Sequence, residues 1–215
     1  MGAQGLHGNF SDYVLHFLGL LIAIIRILYL IKYANIANGL TQDDKTVKRY
    51  IEILELMFII RRLHPYLRNS SKRAVVGMPK LHFIDTGLAC HLLGLKKPEA
   101  IHISQYFGGL VENLVYSELL KHATWAEEDV NFYHFRDTMR HELDLVIERS
   151  DGSVIGIEIK ASMSVKQEVF SGLTVFAEYA KEKFLHGVLF YSGDKVLPFK
   201  INNRTFHALP ISSLL

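Results

Sequence analysis

Asp144, Glu158 and Lys160 are the residues of this chain whose types and spacing could do chemistry. Residues 142–148 (ELDLVIE) and 153–159 (SVIGIEI) have the β-branched, apolar composition of strands. Between them lies Arg149-Ser150-Asp151-Gly152. A three-residue loop with glycine in the left-handed position is a common hairpin connection. It pairs Arg149 with Ser153. Counting back from that pair, Asp144 faces Glu158 and Glu142 faces Lys160, and opposed side chains share a sheet face. Two carboxylates and an ammonium therefore converge. Adjacent carboxylates repel unless a proton or a cation relieves them. A hard divalent ion with oxygen ligands does so, Mg²⁺ or Mn²⁺ being the expected kind. Lys160 could then position a water or stabilise a phosphorane-like transition state. The same spacing also suits an exposed hairpin face with charged cross-strand pairs.

The elements that must hold these residues read as an α/β fold. Residues 108–121 (GGLVENLVYSELLK) form a helix with Glu112 in its first turns, and residues 131–136 (NFYHFR) form a strand. Residues 172–183 form a second helix and residues 187–192 (GVLFYS) another strand. The order helix, three strands, helix, strand is that of an α/β core. His134 and His141 lie near the acidic strands but form no helical pair, and both read as structural. Cys90 reads as core and Trp125 as packing at a helix end.

The first half carries a different signal. Gly39 is a plausible helix C-cap after residues 33–38. In residues 45–58 (KTVKRYIEILELMF), Val47, Tyr50, Ile51, Leu54 and Phe58 fall on one helical face. Lys45, Lys48, Arg49 and Glu52 fall on the other. Residues 58–63 and 74–83 then read as the two strands of a hairpin wing. Helix, turn, basic helix and wing is the layout of a winged helix. From Lys45 to Lys80 there are nine Lys/Arg and two Asp/Glu, a local charge of +7 in a chain whose net charge is +2. Lys45, Lys48, Arg49, Arg61, Arg62, Lys72 and Arg73 are thus candidates for phosphate contacts. A solvated basic face that meets a protein partner is the competing reading. The boundary between the halves falls near residues 96–104, giving a helical and winged-helix segment over 1–98 and the α/β core over 99–215.

Composition excludes several classes. The chain has 215 residues, 49% of them hydrophobic and 21% charged, which is the composition of a folded chain. One cysteine rules out a disulfide framework and fits a cytoplasmic setting. Residues 17–31 (FLGLLIAIIRILYLI) are apolar throughout except for Arg26. That run is shorter than the roughly 20 residues a membrane span needs. It reads as a buried helix covered by another domain or protein, with no membrane span expected.

The pattern of Asp144, then Glu158-Ile159-Lys160 on the next strand, with Glu112 on a preceding helix, resembles the PD-(D/E)XK nuclease superfamily. GGLVENLVYSEL, FYHFRD, HELDLVIE and IGIEIKAS, in this order, are also similar to the C-terminal domain of unknown function carried by AAA-type ATPases. So are TVKRYIEILELMFIIRRL, the Lys72-Arg73 pair and PKLHFIDTGLACHLLG. The resemblance runs from about residue 17 to the end. It implies a winged-helix segment followed by a restriction-endonuclease-like α/β core. It implies that Asp144 and Glu158 are metal ligands, that Glu112 completes the acidic cluster, that Lys160 is the catalytic lysine and that Arg136 orients phosphate. The implied activity is Mg²⁺-dependent hydrolysis of phosphodiesters in DNA, with RNA as a further possible substrate. A non-cleaving nucleic-acid-binding module with an unused nuclease fold is the alternative. No G-x-x-x-x-G-K-[ST] occurs, so no ATPase activity is expected of this chain. It reads as a fragment or truncated relative whose partner is the ATPase half or another protein on the apolar helix, with homo-oligomers possible.

Overall fold

The structure is a computed structural model that describes residues 44–67 and 77–215, besides the single residue Gly19. The apolar run 17–31, the helix expected at 33–38, and Lys72 and Arg73 lie outside the described residues.

Helix α1 spans Asp44–Leu56. Val47, Ile51 and Leu54 repeat at helical spacing and are fully buried. Lys45, Lys48, Arg49 and Glu52 are exposed. Phe58 departs from the expected face. The helix stops before it, its φ is +55°, and its side chain is 79% exposed.

Strands β1 (Ile60–Pro65) and β2 (Lys80–Phe83) pair antiparallel, with Ile60 opposite Phe83 and Leu63 opposite Lys80. This is the hairpin that the sequence suggested as a wing. It does not stand free. Strand β3 (Val130–Arg136) pairs in parallel with β1 through His64–Tyr133 and Pro65–His134. The Tyr66 N–H then donates to the His134 carbonyl at 2.7 Å. Among the described residues, the hairpin is consequently the edge of one eight-stranded sheet in the order β2-β1-β3-β4-β5-β6-β8-β7.

Between β2 and β3 run three helices. Helix α2 (Thr86–Leu92) is capped by Asp85, whose carboxylate accepts from the Leu88 N–H. Helix α3 (Pro98–His102) starts with proline in its first turn, where the missing N–H costs nothing. Helix α4 is Phe107–Ala123. Trp125, just beyond it, is 68% exposed, and its ring meets His122 edge-on at 5.6 Å at the helix end. Cys90 is half-buried against the cluster of Val47, Ile51, Leu54 and Phe83.

The remaining elements are β4 (Glu142–Arg149), β5 (Val154–Lys160), α5 (Ser171–Ala180), β6 (Phe184–Tyr191), β7 (Leu197–Ile201) and β8 (Arg204–Pro210). Strand β5 is buried on both faces, which accounts for its nearly continuous apolar run. On one face Val111, Val115 and Tyr116 of α4 pack on Leu63, Leu145, Ile157 and Ile159. On the other, Leu173, Phe176 and Ala177 of α5 pack on Phe135, Leu143, Val146 and Leu189.

The β4–β5 hairpin has the expected register. Leu145 pairs with Ile157 and Glu148 with Val154, the Arg149 N–H donates to the Ser153 carbonyl at 2.9 Å, and Gly152 takes a φ of +74°. On its other edge β4 is irregular. Tyr133 pairs with Val146 but Phe135 pairs with Leu143, so Asp144 and Leu145 together oppose the single residue His134. That is a β-bulge. Leu143 packs on the α5 side and Leu145 on the α4 side, although regular alternation would put both on one face. Asp144 sits at the flip.

The β7–β8 hairpin was not read from the sequence. It turns through Asn202 and Asn203, with φ of +48° and +60°, and Ile201 pairs with Arg204. Positive φ at both central residues is the signature of a type I′ turn, which asparagine tolerates well. Among the described residues, no helix is long and apolar enough to cross a membrane.

Candidate active site

Asp144 is positioned by the bulge. Its Oδ2 accepts the Ile159 N–H at 2.9 Å, a strand amide freed for a side chain where the β4–β5 pairing ends. Its Oδ1 lies 3.3 Å from the Lys80 ammonium. The same ammonium donates to Glu112 Oε1 at 2.8 Å. Glu112 reaches it from the second turn of α4, where the helix is pinned against the sheet. Next along β5, Glu158 Oε1 accepts from Lys160 Nζ at 2.6 Å. Three acids and two lysines thus come together from α4, β4, β5 and β2.

The cluster is dry at its base and open at its rim. The side chain of Lys80 is 3% exposed, Glu112 9%, Glu158 10% and Lys160 40%. Burial would drive the Lys80 ammonium towards its neutral form. The Glu112 and Asp144 charges outweigh that and hold its pKa well above the ordinary lysine value. Burial pushes Glu112 up to about 7, against the pull of Lys80 and with the push of Asp144. Burial and then Asp144 push Glu158 up to about 8, opposed by Lys160. Lys160 is raised in turn, burial losing to the charges of Glu158, Asp144 and Glu112.

Lys80 is the residue that the sequence reading passed over except as one charge among nine. Its signal was present. In a strand of sequence KLHF that is buried along its whole length, a lysine must find anionic partners. Asn113, also missed, fixes that strand. Its amide nitrogen donates to the Phe83 carbonyl at 3.0 Å and to Thr86 Oγ1 at 2.8 Å, and its Oδ1 accepts the Phe83 N–H at 2.7 Å. An edge-strand backbone otherwise left unpaired is satisfied by one fully buried side chain.

The other expected residues are placed elsewhere. Glu142 does not join Lys160. Beyond the bulge it pairs with Arg136 at 2.9 Å, near the rim. Lys45, Lys48, Arg49 and Arg61 are exposed on α1 and β1. Arg62 is half-buried and paired with Glu55 at 3.1 Å. His134 is fully buried, and its Nε2 lies 3.0 Å from the Met78 carbonyl. His141 Nδ1 lies 2.9 Å from Asp137 Oδ2.

The donor set can be tested against a divalent ion. Mg²⁺ is commonly held by one or two carboxylates, with water and phosphate completing its shell. Asp144 and Glu158 supply such oxygens, and Glu158 Oε2 is a buried oxygen with no hydrogen-bond partner. They fit one ion. Among the described residues no three His, Cys, Asp or Glu side chains stand together as a ligand set. Glu112 is engaged by Lys80 instead.

Residues 107–214 match the family described as Domain of unknown function (DUF4143), and residues 11–99 match Domain of unknown function (DUF8612). The chain belongs to the DUF4143 family, whose domains typically lie C-terminal to AAA ATPase domains. The uncharacterized proteins Rv2008c of Mycobacterium tuberculosis and Mb2031c of Mycobacterium bovis are each 32% identical over 142 residues, 65% of this chain. The chain spans 31% of the length of these relatives. A solved assembly of Thermococcus gammatolerans McrB AAA+ hexamers with bound McrC contains a chain similar over 94% of this one and 72% of its own length, at 10% identity and a TM-score of 0.38.

Proposed function

We propose that this chain is the nuclease-like part of an AAA-type ATPase-family protein, with a metal-dependent phosphodiesterase site that acts on DNA. One observation carries the reading. Asp144, Glu158 and Lys160 meet in one cluster with Glu112, and one buried oxygen of Glu158 is left without a hydrogen-bond partner. Asp144 and Glu158 would hold Mg²⁺ or Mn²⁺, which when bound supplies a polarised phosphoryl oxygen and a more acidic water. The Ile159 N–H and the Lys80 ammonium fix the orientation of Asp144 before substrate arrives. Lys160 reaches the rim and stabilises the negative charge that develops on the phosphoryl group. Arg136, paired with Glu142 at 2.9 Å, can turn to a neighbouring phosphate. The exposed cations Lys45, Lys48, Arg49 and Arg61 add sequence-independent affinity. ATP hydrolysis belongs to the ATPase half, which is the partner this reading implies.

The test is cleavage of linear single- and double-stranded DNA with Mg²⁺, with Mn²⁺ or with chelator, beside Lys160→Ala and Asp144→Asn. Cleavage should need the ion and fall by about 10²–10³ in each variant, the usual cost of losing a charge-stabilising group. Products that persist in chelator, or in both variants at the wild-type rate, would refute the site. A second reading, a non-cleaving nucleic-acid-binding module, is favoured by the Lys80 ammonium, which already satisfies two of the three acids. It predicts salt-dependent DNA binding that Lys48→Glu/Arg49→Glu abolishes, with no cleavage under any ion.

A further inference from the structure

We propose that the Lys80 ammonium is a resident cation that fills the position between Glu112 and Asp144, which a second divalent ion would otherwise take. The proposal deepens the metal-site reading and rests on it only for the first ion. Lys80 Nζ stands 2.8 Å from Glu112 Oε1 and 3.3 Å from Asp144 Oδ1, and its side chain is 3% exposed. The ammonium thus touches both carboxylates directly. A divalent ion bridging Glu112 and Asp144 and the Lys80 ammonium would compete for the same oxygens.

Charge balance points the same way. Counted with all three acids ionised, the state that a bound cation favours, Glu112, Asp144 and Glu158 carry three negative charges, and Lys80 and Lys160 carry two positive ones. The remaining single negative charge suits one divalent ion. A second would leave the dry cluster at +3, with each added charge poorly screened. The orphaned Glu158 Oε2, in a side chain nine-tenths buried, lies beside Gly172 of α5 and is the oxygen left for that one ion.

The arrangement also joins the two halves. Lys80 belongs to β2, the sheet edge from the first half, and Asn113 of α4 clamps that strand through Phe83. Movement of β2 would carry the cation out of the acid cluster, so the first half sets how many ions the cluster accepts.

The experiment is Mn²⁺ binding to the whole chain, counted by calorimetry and by electron paramagnetic resonance of free Mn²⁺, with no activity readout needed. The variants are Lys80→Met and the charge-neutral pair Lys80→Met/Glu112→Gln. Lys80→Met should bind one more ion than the wild-type chain, and the double variant should return to the wild-type number with an affinity within about three-fold. The double variant removes one charge of each sign, so it keeps the test valid if Lys80→Met folds poorly. Equal ion counts in Lys80→Met and wild type would overturn the proposal. So would loss of the wild-type ion in the double variant, because Glu112 would then be a ligand in its own right. A wild-type chain that binds no Mn²⁺ while Lys80→Met binds one would sink the metal-dependent nuclease reading and support the resident cation. If neither binds, both fail.

Discussion

Replacing Gly172 by alanine tests a close approach of helix to strand beside the acid cluster. Gly172 lies in the first turn of α5, against the start of β4. A Cβ built there would fall 2.0 Å from the Glu142 carbonyl oxygen and 3.5 Å from Glu158 Oε2. An ordinary carbon–oxygen contact is about 3.3–3.6 Å, so helix and strand must separate by roughly 1.3 Å. The atom in the way is backbone, which cannot rotate aside. Overpacking of this kind costs about 1–3 kcal/mol. Alanine gains up to about 1 kcal/mol over glycine inside a helix, and less in a first turn. The clash therefore wins by about 1–2 kcal/mol. For a chain of this size each kcal/mol moves Tm by about 2–4 °C. Calorimetry should show Gly172→Ala melting about 2–8 °C below wild type. A Tm equal to or above wild type would refute the close approach of α5 to β4, and with it the packing that holds Glu158 in place.

Two further outcomes follow from buried polar groups. Asn113→Ala orphans the Phe83 N–H and carbonyl, at about 1–3 kcal/mol each, so urea unfolding should shift by about 2–6 kcal/mol and the Phe83 amide should lose most of its hydrogen-exchange protection; unchanged exchange at Phe83 would remove Asn113 from its role in holding β2. His134 is pushed down to about 3, first by burial and then by the Lys80 charge, so it stays neutral in the fold. Its ordinary value in the unfolded chain is near 6.5, so the unfolded state binds the extra proton as pH falls. Its share of stability is complete above about 6.5 and is lost towards pH 3, at about 1.4 kcal/mol per pH unit. Denaturation of His134→Gln between pH 4 and 6.5 should show a slope shallower by about that amount, and an unchanged slope would mean that His134 is protonated in the fold.

Much of this was legible in the chain itself, because the signals were local. The Ser150-Asp151-Gly152 loop has its left-handed glycine, so the β4–β5 register could be counted from the turn outward. The α1 stripe of Val47, Ile51 and Leu54 is written in the 3.6-residue period. The Asp144/Glu158/Lys160 set follows from that register and from strand alternation. Other features depend on contacts between residues distant in sequence, which periodicity does not encode. The bulge opposite His134 appears only when β3 is laid beside β4, and it sends Glu142 to Arg136 and turns Asp144 towards Lys80. The parallel pairing of β1 with β3 makes an expected wing into a sheet edge. Lys80 itself looked like one more surface charge, because a lysine's partners are not in its own strand. Local sequence set the elements and the register of one hairpin. Tertiary packing decided which charges were taken out of water, and a buried charge must take its partners from wherever the fold brings them.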